Sequence, residues 1–268
     1  MLRIVIVLAL FASVAQAQRA PDMATLDRGD GITKLGLDIG FSSINDPPYD
    51  AALRFELWGQ YITSIGLGFY GAVPLAHSFG GEGRPPDTEA NDATSLYDID
   101  LGALYVITGQ SMSFVWRGGV GLPTATGGID ERLTRYYAAV PRLTDLALAT
   151  DDWYIRLSFS PLVHVHRFFA RADIGADLNA QGDDYHYLRL NIGAGVDLDL
   201  LALALELTNT ISFGSGFFTE ERVFHSLAFT IRFMGEHLQP FLAVGVPLDD
   251  YRRDRIQFFI SAGLQVAF

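Results

Sequence analysis

Cysteine is absent from the 268 residues. That excludes disulfides, thiolate metal sites and thiol nucleophiles. Charge is scarce as well, at 19% of residues, which is low for a water-facing surface. Positive charge is scarcer still: 19 Lys and Arg stand against 31 Asp and Glu. Nucleic acid is therefore not an expected partner, because phosphate binding needs clustered cations. Past the N-terminus, no apolar run approaches the roughly 20 residues that a membrane helix needs. If this chain stays in a membrane, it does so without helices.

What is abundant is apolar: 49% of residues, with 27 glycines and 19 phenylalanines. The chain begins "MLRIVIVLALFASVAQAQRA". Arg3 supplies a positive start, Ile4 to Ala12 a short apolar core, and Ala15-Gln16-Ala17 a small-x-small cleavage site. Residues 1–17 read as a secretory signal peptide cut after Ala17. Loss of Arg3 leaves 18 basic against 31 acidic residues, a net charge of −13. Residues 18–31 read as a polar periplasmic tail.

From residue 32 a period of two takes over. In "KLGLDIGF", Leu35, Leu37, Ile39 and Phe41 share one face, and Lys34 and Asp38 the other. The same alternation recurs in twelve segments of about 10 residues each, a length that spans a bilayer when tilted. The connections alternate, short then long. Tight turns fall near 63, 109, 165, 199 and 235; longer polar loops fall at 42–51, 76–94, 123–152, 179–186, 214–222 and 249–255. The predicted fold is all-β: a closed antiparallel up-and-down transmembrane β-barrel over 32–268, with all short turns at one end.

Charge position sharpens this. Take the apolar parity of each segment as the outer face. Seven basic residues (Lys34, Arg54, Arg117, Arg156, Arg171, Arg189, Arg232) then fall on the opposite, lumen-facing parity. So do eight acidic ones (Asp38, Glu56, Asp98, Asp100, Asp173, Asp177, Asp197, Glu206). The chief polar exceptions on the outer face are His225 and Asn209. Aromatics gather at segment ends on the outer parity: Tyr97, Trp153 and Phe213 toward the long loops, Tyr61, Tyr105 and Phe268 toward the short turns. Two interfacial girdles are the expected result.

The final segment, "RIQFFISAGLQVAF", alternates to the last residue and ends on Phe268. It resembles the C-terminal assembly signal of bacterial outer-membrane β-barrel proteins. The resemblance implies residence in the outer membrane, among its lipids, after handling by the outer-membrane insertion machinery. A phrase with a glycine two or three residues before a proline also recurs, in "YGAVPLA" (70–76), "GVGLPTA" (119–125) and "VGVPLDD" (244–250). It is similar to transporter-like barrels linked by name to phenol-degradation pathways; strand termination at the rim is the simpler account.

Loop 123–152 is the longest. Its "DERLTRYYAAVPRLTDLALA" suits a short helix interrupted near Pro141, with Asp130 and Glu131 in the first turn. Such a loop can fold into the barrel mouth or lie outside it, and the sequence is compatible with both.

Catalytic groupings are weak. His225 and Ser226 are adjacent, so their side chains point to opposite faces of a strand. Ser160 and His164 share a face but lie roughly 13 Å apart along it. Asp98-x-Asp100 and Asp184-x-His186 are similar to the Asp-Asp and Asp-His pairs of the omptin proteases, but here twelve strands replace ten and the second pair lies in a loop. His164 and His166 flank a tight turn. No cofactor or metal is called for.

The inward charges are nearly balanced in sign, which argues against strong ion selectivity. The leading expectation is a non-enzymatic, passive conduit for small solutes through a charge-lined lumen. The alternatives are a closed barrel whose external loops bind surface ligands and, more remotely, an outer-membrane hydrolase.

Overall fold

A strand that is apolar on one face and polar on the other must place the two faces in different surroundings, and a closed sheet does so for all its strands at once. The computed structural model describes residues 22–45, 49–80, 92–182, 185–214 and 222–268; the predicted signal peptide lies outside them. The strands are β1 (Lys34–Ile44), β2 (Tyr49–Ile62), β3 (Leu67–Gly80), β4 (Ala93–Leu96), β5 (Ile99–Thr108) and β6 (Met112–Leu122). After a helical insertion come β7 (Tyr154–Val165), β8 (Phe168–Asn179), β9 (His186–Asp197) and β10 (Leu201–Phe213). The last three are β11 (Val223–Phe233), β12 (Leu238–Pro247) and β13 (Ile256–Ala267).

Each strand runs antiparallel to its neighbours, and the last closes on the first. Lys34 lies opposite Ala267, and Phe41 opposite Ile260. The Phe268 N–H donates to the Thr33 carbonyl at 3.0 Å. β4 and β5 both pair with β3, at Leu75–Ser78 and Leu67–Ala72 respectively. They are two halves of one stave, so the barrel has the twelve staves that the periodicity predicts.

The short turns are tight. His166 and Asp199 take left-handed φ of 56° and 69°. At Gly66 (φ 81°) a Cβ would lie 2.1 Å from the Val106 carbonyl oxygen, so only glycine fits there.

The outer face is predominantly apolar. β12 alternates exposed and buried residues without a break over its whole length. Leu35, Leu37, Leu57, Leu205, Leu242 and Val244 all present large apolar side chains outward. A belt of this extent is far larger than the apolar patches that water-soluble proteins tolerate, and it matches lipid. The two chief polar exceptions satisfy each other: His225 Nδ1 lies 2.6 Å from Asn209 Oδ1, and Asn209 Nδ2 donates to the Leu190 carbonyl. Tyr61, Tyr105, Trp153, Phe213 and Phe268 are exposed on this face.

Tyr97 departs from the expectation. It is fully buried, and its hydroxyl donates to the Arg135 carbonyl. The cause is the break between β4 and β5, where Tyr97 and Asp98 are consecutive and both buried. An extra residue in one strand resets the parity of everything before it.

The interior is filled by two segments that belong to no stave. Residues 22–29 are buried inside the barrel rather than forming part of a free periplasmic tail. Because 22–31 leads directly into β1, it enters from the short-turn end. From the opposite end, loop 123–152 folds inward as α1 (Ile129–Ala138) and a 3-10 run (Val140–Ala149). Ala138, Val140, Leu143, Leu146 and Leu148 are buried in the same cluster as the wall residues Ala52, Ala76, Phe224 and Phe259. The wall is recessed to admit both segments. A Cβ on Gly193 would fall 2.1 Å from Met23 Sδ, and one on Gly40 would fall 3.0 Å from Pro141.

The two faces predict opposite tolerance. Leu205→Arg, on the lipid side of β10, costs about 2–4 kcal/mol, whereas Ala204→Ser, facing inward, leaves folding unchanged. Folding into lipid vesicles, read by the heat-dependent gel shift of the barrel, distinguishes them; equal yields would contradict the assigned faces.

Candidate functional site

The charges assigned to the inner parity are brought together in the interior. Lys34, Arg54, Glu56, Asp100, Arg156 and Arg171 are buried, as are Asp38, Asp98, Asp173, Asp177, Arg189, Glu206 and Arg232. Arg117 is also inside, with its side chain 12% exposed. Asp197 is not part of this group. It sits half-buried at the β9–β10 turn, where its carboxylate accepts from the Asp199 N–H.

Ionised groups buried this far need partners. They find them partly in one another and partly in the two inserted segments. Arg156 on β7 reaches Asp100 at 2.6 Å and Asp177 at 3.1 Å. Arg171 and Asp173 pair along β8 at 2.8 Å. Arg54 and Glu56 pair along β2 at 2.8 Å.

The N-terminal segment supplies the next set. Arg28 donates to Glu56 at 2.7 Å and also to Asp38, and its guanidinium lies over the Trp58 ring. Asp27 takes Arg117 at 3.1 Å and Arg189 at 3.0 Å. Lys34 holds both Asp22 and Asp30, so the segment turns in and comes back. Its backbone is satisfied by wall side chains in place of a strand. The N–H groups of Ala24 and Thr25 donate to Glu206, and that of Asp27 to Asp173.

The inserted loop supplies the rest. Its 3-10 run leaves helical geometry at Arg142 and Asp145, the two residues that reach across the interior. Asp145 accepts from Arg54 at 2.7 Å, Arg142 at 2.9 Å and Arg156 at 3.3 Å. Arg142 Nη1 donates to the Ala24 carbonyl at 3.0 Å, so the two segments touch. Asp98 anchors both roots of the loop: its carboxylate accepts from the N–H groups of Thr124, Ala125 and Asp152. Sequence reasoning did not find Asp22, Asp27, Arg28, Arg142 and Asp145, because none of them has a strand parity. Complementarity to the wall charges is the signal that marks them.

Space remains beside these contacts. A small cavity lies between Arg28, Trp58, Tyr70 and Arg117. A second lies between Asp27, Arg117, Arg156 and Arg189. Tyr70, Asp100 and Arg117 line both, on the wall formed by β3, β5 and β6.

The residues weighed for catalysis do not assemble. Ser160 is buried with no hydrogen-bond partner for its hydroxyl among the described residues. His186 Nδ1 accepts from the Asn179 N–H, Asp100 is engaged by Arg156, and Asp184 lies outside the described residues.

No family model matches this chain, and no curated relative does. Solved structures do. An outer-membrane channel from Pseudomonas putida F1 is similar at a TM-score of 0.62 and 14% identity, over 93% of this chain and 100% of that one. The fold is that of the bacterial outer-membrane β-barrels. The KdgM porin (TM-score 0.51, 11% identity, 87% of this chain and 99% of that chain) and the NanC porin (0.53, 9%, 87% and 98%) share it. With its continuous apolar belt, a barrel of this fold is seated in the outer membrane.

Two expectations follow from the ion pairs. Arg156→Ala removes the partner shared by Asp100, Asp145 and Asp177, leaves Asp100 with only the 3.9 Å contact to Arg117, and destabilises the barrel by about 3–5 kcal/mol, measurable by denaturant unfolding. The second concerns acid. Burial raises the Asp22 carboxyl, but Lys34 and Arg232 outweigh it and hold it down at about 2. A carboxylate depressed in the folded state stabilises it above the ordinary pKa, and that contribution fades as pH falls through the depressed one. The attachment at Asp22 is therefore constant from pH 8 to about 5, weakens below about pH 4 and is lost near pH 2. Hydrogen exchange at residues 23–28 reads this out; loosening already at pH 6 would contradict it.

Proposed function

We propose that this barrel is a passive, non-enzymatic conduit for small solutes, closed at rest by its own N-terminal segment and by loop 123–152. The observation that carries the reading is how the interior is filled. A narrow barrel is closed by the side chains of its own strands. Here twelve staves leave a bore, and two segments outside the sheet occupy it. Neither is joined to the wall by a strand ladder. Each is held by ion pairs, single hydrogen bonds and apolar packing, and the polar contacts are ones that water and solute can replace. The two polar cavities along β3, β5 and β6 lie on the seam between segments and wall. The inward-facing charges, Arg117, Arg156 and Asp100 among them, would then line the path and set solute preference.

The similar barrels are described as a channel and as porins, which fits this use of the fold. Insertion by the outer-membrane machinery, on the signal in β13, remains part of the same proposal.

The test is single-channel recording in planar bilayers. The mature chain is expected to show rare, small openings. Removal of residues 22–31 is expected to raise open probability at least tenfold, and further deletion of 129–149 to enlarge the conductance step. A folded double-deletion barrel that passes neither current nor solute would overturn the reading.

A further inference from the structure

Asp27 is held in an unusual way. One oxygen, Oδ1, accepts from Nη1 of Arg117 on β6 and from Nη1 of Arg189 on β9. The other, Oδ2, is buried and has no partner, and the Nε atoms of both arginines are likewise unpartnered. Two guanidiniums that could each grip a carboxylate with two donors therefore share a single oxygen. The segment's backbone is held at the same place, where the Asp27 N–H donates to Asp173 at 2.7 Å. The smaller of the two cavities opens beside this carboxylate.

We propose that Arg117 and Arg189 form a binding site for a small carboxylate anion, and that Asp27 occupies it as an internal stand-in. The inference rests on the conduit reading for its biological sense and names the solute class as organic monoanions. Local charge supports it. Arg117, Arg156 and Arg189 face Asp27, Asp100 and Asp177 across this part of the interior. Arg171 and Asp173 beside them form a neutral pair. With Asp27 withdrawn, three arginines face two aspartates. The site then carries one uncompensated positive charge, matched to one carboxylate. Tyr70 holds the Arg117 guanidinium 3.9 Å from its ring centre, so that cation stays in place when Asp27 leaves. The Asp177 contact at 3.1 Å does the same for Arg189. A free carboxylate has no backbone tie to the segment and can turn to offer both of its oxygens, and the space that the Asp27 side chain vacates adjoins this cavity. Exchange between Asp27 and a solute carboxylate conserves charge, so displacing the segment does not leave a bare cation pair behind.

Chemical rescue tests this on the full mature chain. Asp27→Ala empties the site, and Asp27→Gly serves if the alanine variant folds poorly. Heat unfolding in detergent is followed with potassium propionate, propionamide or potassium chloride at equal ionic strength. Propionate is expected to raise the midpoint of Asp27→Ala by about 4 °C at a tenfold excess over its dissociation constant. Propionamide and chloride are expected to give no comparable rise. The wild-type protein, with Asp27 in place, should respond weakly, and Asp27→Ala combined with Arg117→Ala and Arg189→Ala should not respond. An equal response in all variants, or one that chloride reproduces, overturns the carboxylate site. Bilayer recording separates this from the conduit reading. Rescue without current in any variant keeps the site and removes the conduit; current without rescue keeps the conduit and removes the site.

Discussion

A charged side chain inside a barrel has lost its water and must find a counter-charge. Breaking such a pair from one side costs about 3–5 kcal/mol, a large part of what holds a typical domain folded. Much of the interior architecture can be read as the consequence. Each of the fourteen inward charges is too far from bulk water to stand alone, and the wall does not neutralise all of them. Arg117 has Asp100 only at 3.9 Å, and the ion-pair partners of Lys34 both come from the N-terminal segment. The unsatisfied remainder forms a template of charge, and the segments that enter are the ones that complete it.

The same constraint governs the backbone. Residues 22–31 form no helix and no strand, so their N–H groups have no ladder to join. Burial of such a segment is tolerable only where acceptors already stand in the wall. Glu206 serves two consecutive N–H groups with its two oxygens, and Asp173 serves a third. The segment is thus attached through side chains that also have wall partners, Thr230 for Glu206 and Arg171 for Asp173. An attachment of this type can be exchanged group by group, whereas a strand inserted in the sheet would have to be unzipped.

Period-two patterning made the barrel legible in the sequence, because lipid and interior impose opposite chemistry on adjacent residues. Leu205 and Glu206, next to each other in β10, are 54% and 0% exposed. The strand count and the closure of β13 on β1 followed from the same rule. It failed where the period fails. At Tyr97 one extra residue reversed the parity, and an aromatic assigned to the girdle became an inward hydrogen-bond donor. In "DMATLDRGDG" there is no period at all. Its destination is fixed by partners far along the chain: Thr25 meets Glu206, 181 residues away. Nothing local distinguishes such a segment from a solvated tail. Loop 123–152 was legible as a broken helix but not as an insertion, for the same reason.

The two inserted segments are not held equally, and the difference follows from counting second partners. If loop 123–152 withdraws with Arg142 and Asp145, Arg54 keeps Glu56, and Arg156 keeps Asp100 and Asp177. Both wall arginines that pair with the loop's Asp145 thus retain a counter-charge. Withdrawal of residues 22–31 is different. Lys34 loses Asp22 and Asp30 together, Asp38 loses Arg28, and Arg117 keeps only the long contact to Asp100. Those groups must be rehydrated or re-paired before the segment can leave. The loop is therefore the more easily moved of the two from the charge standpoint, although its apolar packing against Phe224 and Phe259 opposes the motion. The N-terminal segment is the firmer closure, and its release favours any solute that brings the missing charge with it.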